Sequence, residues 1–473
     1  MLHKRFTSNL KFKLVGEFFS RLASFLFYSI CARLLGVENF GVFSLAYSYG
    51  FVFIVLIDLG ANYIVTREIA RDKDFLIHTV PSLHILKWIL FPLMVLFVFL
   101  ATYFTGNTPQ VVKLAVMLSL LAMGIALSEF LASILNGIEM MGLEAVLKII
   151  WRMGILGCSI LGYFWVKSIE AFVWGMVIAH WIGVLIGYYL IQKRYNIFKW
   201  EWKFERIKDL LKISYPVLLA WFIITIYDNQ DMFILSKMGF SKGSIGYFSA
   251  SAKLIDALRP LPVLVVGALY PILSQYSFSD KKTFNKLTIV FFRNLAFVLI
   301  PLAFFLSSLA PLIIKVLYGD VFLPAIPIFS ISIWGFVFIF LNHFLFLLLL
   351  SLNGQFQFLK SALFVCIVNG ILAIFLFPRF GILGGGWALF IGEFLLCGFN
   401  AWQITRLMGE GVKFFEHFLF PVIVLFVSFI CFYFIQSSSY PYFYLFLGML
   451  VYLYLMVKKK WLDLAYFKRM VGR

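Results

Sequence analysis

Residues 110–135 read QVVKLAVMLSLLAMGIALSEFLASIL and carry only two charged side chains, Lys113 and Glu129. A helix needs about 20 mainly apolar residues to cross a hydrocarbon core about 30 Å thick. Similar stretches recur along the 473-residue chain, which is 63% hydrophobic with a mean hydropathy of +0.97. The sequence therefore predicts an all-α integral membrane protein with little chain left for a soluble catalytic domain.

Fourteen segments meet this length and composition, which predicts about fourteen transmembrane helices. They run approximately over residues 13–35, 40–66, 80–104, 110–135, 144–166, 169–191, 210–237, 243–276, 286–312, 324–352, 357–378, 382–406, 414–435 and 440–457. We expect four prolines to interrupt the seventh and eighth of these helices, because proline removes a backbone hydrogen bond. These prolines are Pro216, Pro260, Pro262 and Pro271.

The net charge of +18 is distributed unevenly over the loops. With the N-terminus inside, one face receives basic clusters near residues 67–73, 193–212, 281–286 and 458–473, and the other face receives single basic residues. Cytoplasmic loops of membrane proteins are enriched in Lys and Arg. The pattern predicts a multi-pass protein of the inner (cytoplasmic) cell membrane with both termini in the cytoplasm, and it explains the charge without nucleic acid.

Residues 193–212 alternate basic and aromatic side chains, which is typical of an amphipathic linker lying on the inner leaflet. The linker separates an N-terminal six-helix lobe, 1–192, from a C-terminal six-helix lobe, 213–408. Two additional helices, 409–457, and a basic cytoplasmic tail, 458–473, complete the predicted organisation.

A Gly-x-Phe-Ser pattern occurs at Gly41 and again at Gly246, at the start of corresponding helices in the two halves. It indicates either an internal repeat or a small-residue packing motif. Two pseudo-repeat lobes around a central cavity form a common transporter plan.

Three stretches resemble the polysaccharide and oligosaccharide flippases of the multidrug/oligosaccharidyl-lipid/polysaccharide exporter superfamily. Residues 32–72 contain LLG, FG, DLG and REIARD in the order of that family, and residues 231–274 and 352–394 are similar to its later helices. The resemblance implies a transporter rather than an enzyme. The implied activity is alternating-access transfer of a polyprenyl-pyrophosphate-linked oligosaccharide from the inner to the outer leaflet.

The resemblance also implies the partners and the coupling. Membrane lipids and the lipid-linked saccharide are the expected partners, with polysaccharide-assembly enzymes as further ones. We expect no cofactor, and Na⁺ or H⁺ is the candidate coupling ion. The five cysteines lie within apolar segments without metal-ligand spacing, so they suggest neither a disulfide framework nor a metal site.

An anionic head group inside the bilayer needs cationic groups facing a hydrated cavity. Arg21 and Lys253 are the first candidates, because the FSR…AR pattern at Phe19–Arg33 and the basic residue of the eighth helix resemble the lipid II flippase. Arg259, Arg152 and Lys148 follow. Asp256 lies three residues from both Lys253 and Arg259, so intrahelical pairing is the competing interpretation.

Snorkelling to the interface is the alternative for basic residues near the predicted helix ends, namely Lys87, Lys148 and Arg293, and also for Arg21, which lies close to the inside face. Acidic groups within helices are candidates for ion coupling, although polar packing between helices competes with that role. These groups are Asp228, Asp231, Asp58 and Glu393. His180 and His343 are isolated, which is more typical of core histidines than of proton relays.

Two further function classes remain open. A cation-coupled multidrug extruder of the same superfamily would line its cavity with carboxylates, whereas basic groups dominate the candidates here. A membrane glycosyltransferase or polysaccharide polymerase would need paired carboxylates or a large sugar-nucleotide loop, and the sequence offers neither. A purely structural scaffold explains the intramembrane Lys and Arg poorly.

Overall fold

The computed structural model describes residues 2–408 except 199, 268 and 353. These residues form helices and contain no strand, which confirms the all-α prediction. The two expected C-terminal helices within 409–457 and the basic tail lie outside the described residues. Two compact units are present: the first ends at Ser249 and the second begins at Ala250.

The first nine helices of the described chain span residues 2–258, and the boundary between the units falls inside the ninth. They are α1 (Leu2–Val52), α2 (Val55–Asp58), α3 (Asn62–Arg71), α4 (Lys73–Phe104), α5 (Pro109–Gly137), α6 (Met141–Val166), α7 (Ile169–Tyr195), α8 (Phe204–Lys237) and α9 (Lys242–Leu258).

Seven more helices and one 3₁₀ turn (Asp320–Ala325) follow within the described residues. The helices are α10 (Pro260–Gly267), α11 (Tyr270–Ser279), α12 (Lys281–Ser308), α13 (Ala310–Tyr318), α14 (Ile326–Ser351), α15 (Gln355–Phe380) and α16 (Leu383–Met408).

The first twelve predicted spans all coincide with helices, but ten helices of the described chain are long and apolar enough to cross a membrane. Two differences explain the smaller number. The first two predicted spans are joined across a kink at Gly36, where φ is 71°. The eighth span is broken into α9, α10 and α11 near its prolines, whereas Pro216 does not interrupt α8. The expected interruption of the seventh helix is therefore wrong.

Several helix starts are fixed by side chains that accept the otherwise unpaired N–H groups. The Asp72 side chain accepts from Asp74 N at 2.8 Å, and Ser168 Oγ accepts from Ala171 N at 3.1 Å. These caps satisfy N–H groups in the first turns of α4 and α7, the helices that carry Lys87 and His180.

The core of the first unit is centred on α5, which packs against α1, α3, α4 and α7. Glycines bring neighbouring helices close at two points that matter for the site. A Cβ at Gly183 of α7 would lie 2.4 Å from Trp151 Cδ1, and one at Gly124 of α5 would lie 2.9 Å from His180 Cδ2. The Trp151 and His180 rings therefore occupy space that these glycines leave open.

The repeated Gly-x-Phe-Ser patterns meet in space within the first unit. A Cβ at Gly41 would lie 1.9 Å from the Lys242 carbonyl oxygen, and one at Gly246 would lie 2.2 Å from the Val37 carbonyl oxygen. Backbone approaches this close require glycine. The structure thus gives the pattern a packing role between α1 and α9.

The second unit is built around α14, which is buried along most of its length against α12 and α16. A buried polar network joins α14, α15 and α16. Asn342 Nδ2 donates to Glu393 Oε2 at 2.7 Å, and Asn400 Nδ2 donates to Asn342 Oδ1 at 3.1 Å. Ser361 Oγ donates to Asn400 Oδ1 at 2.6 Å, so the polar groups satisfy one another inside an apolar bundle.

Candidate functional site

The DLGAN segment interrupts the second span at the edge of a cavity. Leu59 and Gly60 adopt left-handed conformations, with φ of 57° and 63°, between α2 and α3. Ala61 N bonds to the Asp58 carbonyl, so the Ile57 carbonyl is left to another donor. The Asp58 carboxylate accepts a hydrogen bond from the Asn62 side chain and faces the cavity.

Lys87 supplies that donor from α4. Its Nζ lies 2.7 Å from the Ile57 carbonyl oxygen and 5.2 Å from the centre of the Phe130 ring, and the residue is fully buried. The snorkelling alternative for Lys87 is therefore wrong. The physical reason is the helix break, which leaves a buried carbonyl that needs a partner.

We call the cavity beside this break the acidic cavity; its volume is about 340 Å³. It lies between α2, α3, α5, α6 and α8 of the first unit. Its charged lining residues are Asp58, Glu129, Glu144 and Lys148. Lys148 Nζ lies 2.8 Å from Glu144 Oε1, and Glu144 is 1% exposed, so this ion pair belongs to the interior of the bundle.

A second cavity of about 250 Å³, which we call the histidine cavity, shares Ile125, Glu129 and Lys148 with the acidic cavity. Its lining residues are Ser20, Ile125, Ser128, Glu129, Lys148, Trp151, Arg152 and His180. Arg152 also faces a small adjoining space of about 30 Å³ beside Tyr28 and Tyr47 of α1. The first unit thus encloses neighbouring polar spaces within an apolar helical bundle.

His180 and Trp151 are the unusual members of the histidine cavity. They are 2% and 3% exposed. Trp151 Nε1 has no hydrogen-bond partner among the described residues, and neither ring nitrogen of His180 has one of acceptable geometry, although the Gly124 backbone lies alongside. His180 is buried, as the sequence suggested for a core histidine, although part of the residue lines the polar cavity.

The described lining of the two cavities carries mixed charge. Two basic residues, Lys148 and Arg152, accompany three carboxylates, Asp58, Glu129 and Glu144. Ser20 also lines the histidine cavity, and Arg21 follows it on α1, but the Arg21 side chain lies outside the described part of the molecule. The assignment of these basic residues to substrate binding stays a prediction.

The second unit contains the other predicted basic residues, Lys253 and Arg259. Asp256 contacts both of them: its Oδ2 lies 3.2 Å from Lys253 Nζ, and its Oδ1 lies 3.3 Å from Arg259 Nε. The spacing predicted this pairing. Arg259 occupies the break between α9 and α10, and the three side chains remain partly exposed.

The acidic candidates for ion coupling occupy different environments. Asp228 and Asp231 lie on α8, where Asp231 Oδ1 has no hydrogen-bond partner among the described residues. Glu393 belongs to the buried network described above, and Asp58 faces the acidic cavity. No group of three or more His, Cys, Asp or Glu side chains in the described chain is arranged to hold a metal ion. Their role in ion coupling stays a prediction.

Sequence reasoning missed Glu144, Trp151 and the partners of Glu393. The four-residue spacing of Glu144 and Lys148 on α6 is a recognisable ion-pair signal. No local signal marks Trp151, because its significance depends on the cavity that the neighbouring helices form.

Comparison with known proteins places this architecture among transport proteins. Residues 6–277 match the model of a family described as polysaccharide biosynthesis protein. A Shigella flexneri protein described as "Putative O-antigen transporter" is 26% identical over 327 residues, covering 65% of this chain and 75% of that protein. An uncharacterized membrane protein of Methanocaldococcus jannaschii is 21% identical over 316 residues, covering 64% and 62%.

Two solved structures share the fold at low sequence identity. The lipid II flippase MurJ in an inward closed conformation has a TM-score of 0.71 at 18% identity, covering 98% of this chain and 99% of that one. An inward-facing multidrug resistance MATE family transporter of the MOP superfamily has a TM-score of 0.57 at 14% identity, covering 87% and 94%. At these identities the similarity establishes the fold.

Proposed function

Since this chain belongs to the polysaccharide biosynthesis protein family, we propose that it is a flippase for a polyprenyl-pyrophosphate-linked oligosaccharide. It would transfer this lipid from the inner to the outer leaflet by alternating access. The multi-pass helical architecture and the transporter relatives support a transport role rather than catalysis.

The observation that carries the proposal is the pair of charged cavities inside the apolar first unit. A charged side chain at the bilayer centre costs at least about 2.5 kcal/mol and usually faces a bundle interior or water. Five charged residues line the acidic and histidine cavities. Such an interior suits a polar head group whose lipid tail stays outside the protein.

The basic residues would bind the pyrophosphate. Arg152 offers a guanidinium that can bind phosphate oxygens in a bidentate manner, and Lys148 offers a point charge. Arg21, Lys253 and Arg259 are proposed for the same role. In the structure, Glu144 pairs with Lys148, and Asp256 pairs with both Lys253 and Arg259, so an arriving pyrophosphate would compete with these two carboxylates.

The inner cell membrane, with both termini in the cytoplasm, is the proposed location, as the basic clusters of the loops suggest. Polysaccharide-assembly enzymes are proposed partners. Na⁺ or H⁺ is the proposed coupling ion. Asp231 and Glu393 are its candidate carboxylates, because loss of surrounding water favours a carboxylate that has bound a proton or a metal ion.

One observation favours a second function, the extrusion of cationic drugs. Three carboxylates line the acidic cavity, and a cationic compound could pair with them. This lining is richer in acidic groups than the sequence suggested. Drug extrusion therefore remains the competing proposal.

Reconstitution into liposomes tests both proposals. A polyprenyl-pyrophosphate-linked saccharide placed in one leaflet should become accessible to a membrane-impermeant reagent on the other side, and bare polyprenyl pyrophosphate should inhibit this. Arg152→Ala and Lys253→Ala should abolish exposure while the proteins remain folded. Lys113→Ala is the matched control, because Lys113 is exposed and pairs with Glu170 away from the cavities.

Normal exposure by folded Arg152→Ala and Lys253→Ala proteins would contradict the assigned binding roles. A wild-type protein that exposes no lipid-linked saccharide but moves a cationic dye along an ion gradient would establish the extruder instead.

A further inference from the structure

We infer that Glu144 is a positioning residue for substrate release: it binds the Lys148 ammonium while the site is empty and draws Lys148 back from the pyrophosphate after transfer. This role rests on the proposed function and adds the release step to it. Glu144 contacts no part of the substrate and acts through Lys148.

The two members of this ion pair occupy different positions at the cavity wall. Lys148 Nζ lies 2.8 Å from Glu144 Oε1, and the exposed fraction of the side chain is 17% for Lys148 but only 2% for Glu144. Lys148 lines both the acidic and the histidine cavity, whereas Glu144 borders only the acidic one. Lys148 therefore stands at the junction of the cavities, and the carboxylate lies behind it in the interior of the bundle.

Burial makes the Glu144 carboxylate dependent on its partner. An interior ion pair that loses one member leaves an uncompensated buried charge, which is strongly unfavourable. A pyrophosphate that binds the Lys148 ammonium draws it away from Glu144 and creates this situation. The flexible stem of a lysine side chain allows its ammonium to move between two anions. A bound lipid is therefore held less tightly than it would be without Glu144.

The local structure of α6 keeps the carboxylate in place while its partner is away. Glu144 lies in the first turn of this helix, and its N–H bonds to the Met140 carbonyl oxygen at 3.2 Å. The N-terminal end of a helix carries partial positive charge, which favours a carboxylate there. The four-residue spacing places Lys148 one turn further along the same face. The carboxylate thus stays within reach of Lys148.

Asp256 shows why burial matters for this role. It pairs with Lys253 at 3.2 Å and with Arg259 at 3.3 Å in the second unit. Its side chain is 44% exposed, so water can solvate the carboxylate when a cation leaves. The loss of a partner therefore costs Asp256 less than it costs the buried Glu144. We expect the release role at Glu144 and not at Asp256.

A transport site must bind its substrate and also give it up. Binding that is too tight keeps the lipid in the protein and slows each cycle. Glu144 opposes such binding, because the return of Lys148 to its carboxylate removes one cationic contact from the pyrophosphate. The empty site then contains a neutral pair, which costs less than a lone ammonium inside an apolar bundle.

The test measures the affinity and the turnover of the purified full-length protein. The dissociation constant is determined for bare polyprenyl pyrophosphate. Repeated exposure of a polyprenyl-pyrophosphate-linked saccharide is followed in liposomes with the lipid in excess. Glu144→Gln removes the charge and keeps the shape of the side chain. Glu170→Gln is the matched control, since Glu170 pairs with Lys113 at 3.7 Å and lines neither cavity.

We expect Glu144→Gln to bind the bare lipid about tenfold more tightly, which corresponds to about 1.4 kcal/mol, close to the low end for a hydrogen bond to a charged group. The maximal rate of repeated exposure should fall together with the lipid concentration that gives half of that rate. Glu170→Gln should match the wild type in both measurements. In the Lys148→Gln background, Glu144→Gln should no longer tighten binding, because Glu144 acts through the ammonium.

Unchanged or weaker binding by a folded Glu144→Gln protein would make the pair a structural contact only and leave the flippase proposal standing. Equal tightening with and without Lys148 would show that Glu144 repels the pyrophosphate directly. Tighter binding without slower repeated exposure would remove the release role. If Glu144→Gln does not fold, Glu144→Asp withdraws the carboxylate by one methylene, and unchanged affinity there would also overturn the inference. Failure of the wild type to bind the bare lipid would count against the proposed function itself.

Discussion

Replacing Gly246 by Ala perturbs the backbone contact between α1 and α9. The added Cβ would lie 2.2 Å from the Val37 carbonyl oxygen, whereas ordinary van der Waals contact begins at 3.4 Å. The two helices must therefore separate locally by about 1.2 Å. The obstructing atom belongs to the backbone, so no side-chain rotation relieves the clash.

Helix association inside a bilayer depends on close van der Waals packing, because lipid is as apolar as the side chains. Overpacking of this kind typically costs about 1–3 kcal/mol. The same substitution improves the intrinsic helix propensity by up to about 1 kcal/mol, which offsets part of the loss. We expect Gly246→Ala to lower the free energy of unfolding by about 1–2 kcal/mol.

Gly243 provides a control on the same helix. A Cβ there would have Val37 Cγ1 as its nearest neighbour at 3.7 Å, which is an ordinary contact. Gly243→Ala should be neutral or slightly stabilising. Reversible unfolding in mixed detergent micelles, followed by circular dichroism, gives both free energies. Equal stability of the two variants would refute the packing argument for Gly246.

Three further predictions concern other contacts. Lys87→Met should lower the free energy of unfolding by about 1–3 kcal/mol in the same assay, because the carbonyl at the end of α2 loses its buried donor; unchanged stability would show that this donor is dispensable. Asn342→Leu should cost a similar amount, about 1–3 kcal/mol, since the amide no longer donates to the buried carboxylate of α16, and a neutral effect would contradict the importance of that network. The hydrogen bond from Lys203, and to a smaller extent the one with His78, holds the pKa of the Glu201 carboxyl below its usual value. The stabilisation from these contacts is therefore present at neutral pH and is lost as the pH falls through the lowered pKa. Melting temperatures should therefore differ between wild type and Glu201→Gln at neutral pH and converge on acidification, and a pH-independent difference would refute this.

The apolar spans could be predicted because their signal is local. Each of the first twelve predicted segments coincides with helix, and the pairing of Asp256 with Lys253 and Arg259 follows from the three-residue spacing on one helix. Lys87 shows the limit of this reasoning. Its position near a helix end suggested snorkelling, but its partner is a carbonyl freed by a break 30 residues earlier in the chain.

The sequence by itself determined the membrane-spanning helical architecture and the family, because hydropathy and motif order belong to the linear chain. Only the tertiary structure decided which polar groups face one another. Trp151 and His180 share a cavity because Gly183 and Gly124, on neighbouring helices, leave room for their rings. Lys148 is neutralised by a carboxylate that packing has buried with it. Such arrangements depend on the distances between helices that are far apart in the chain. A local pattern of residue types does not specify those distances.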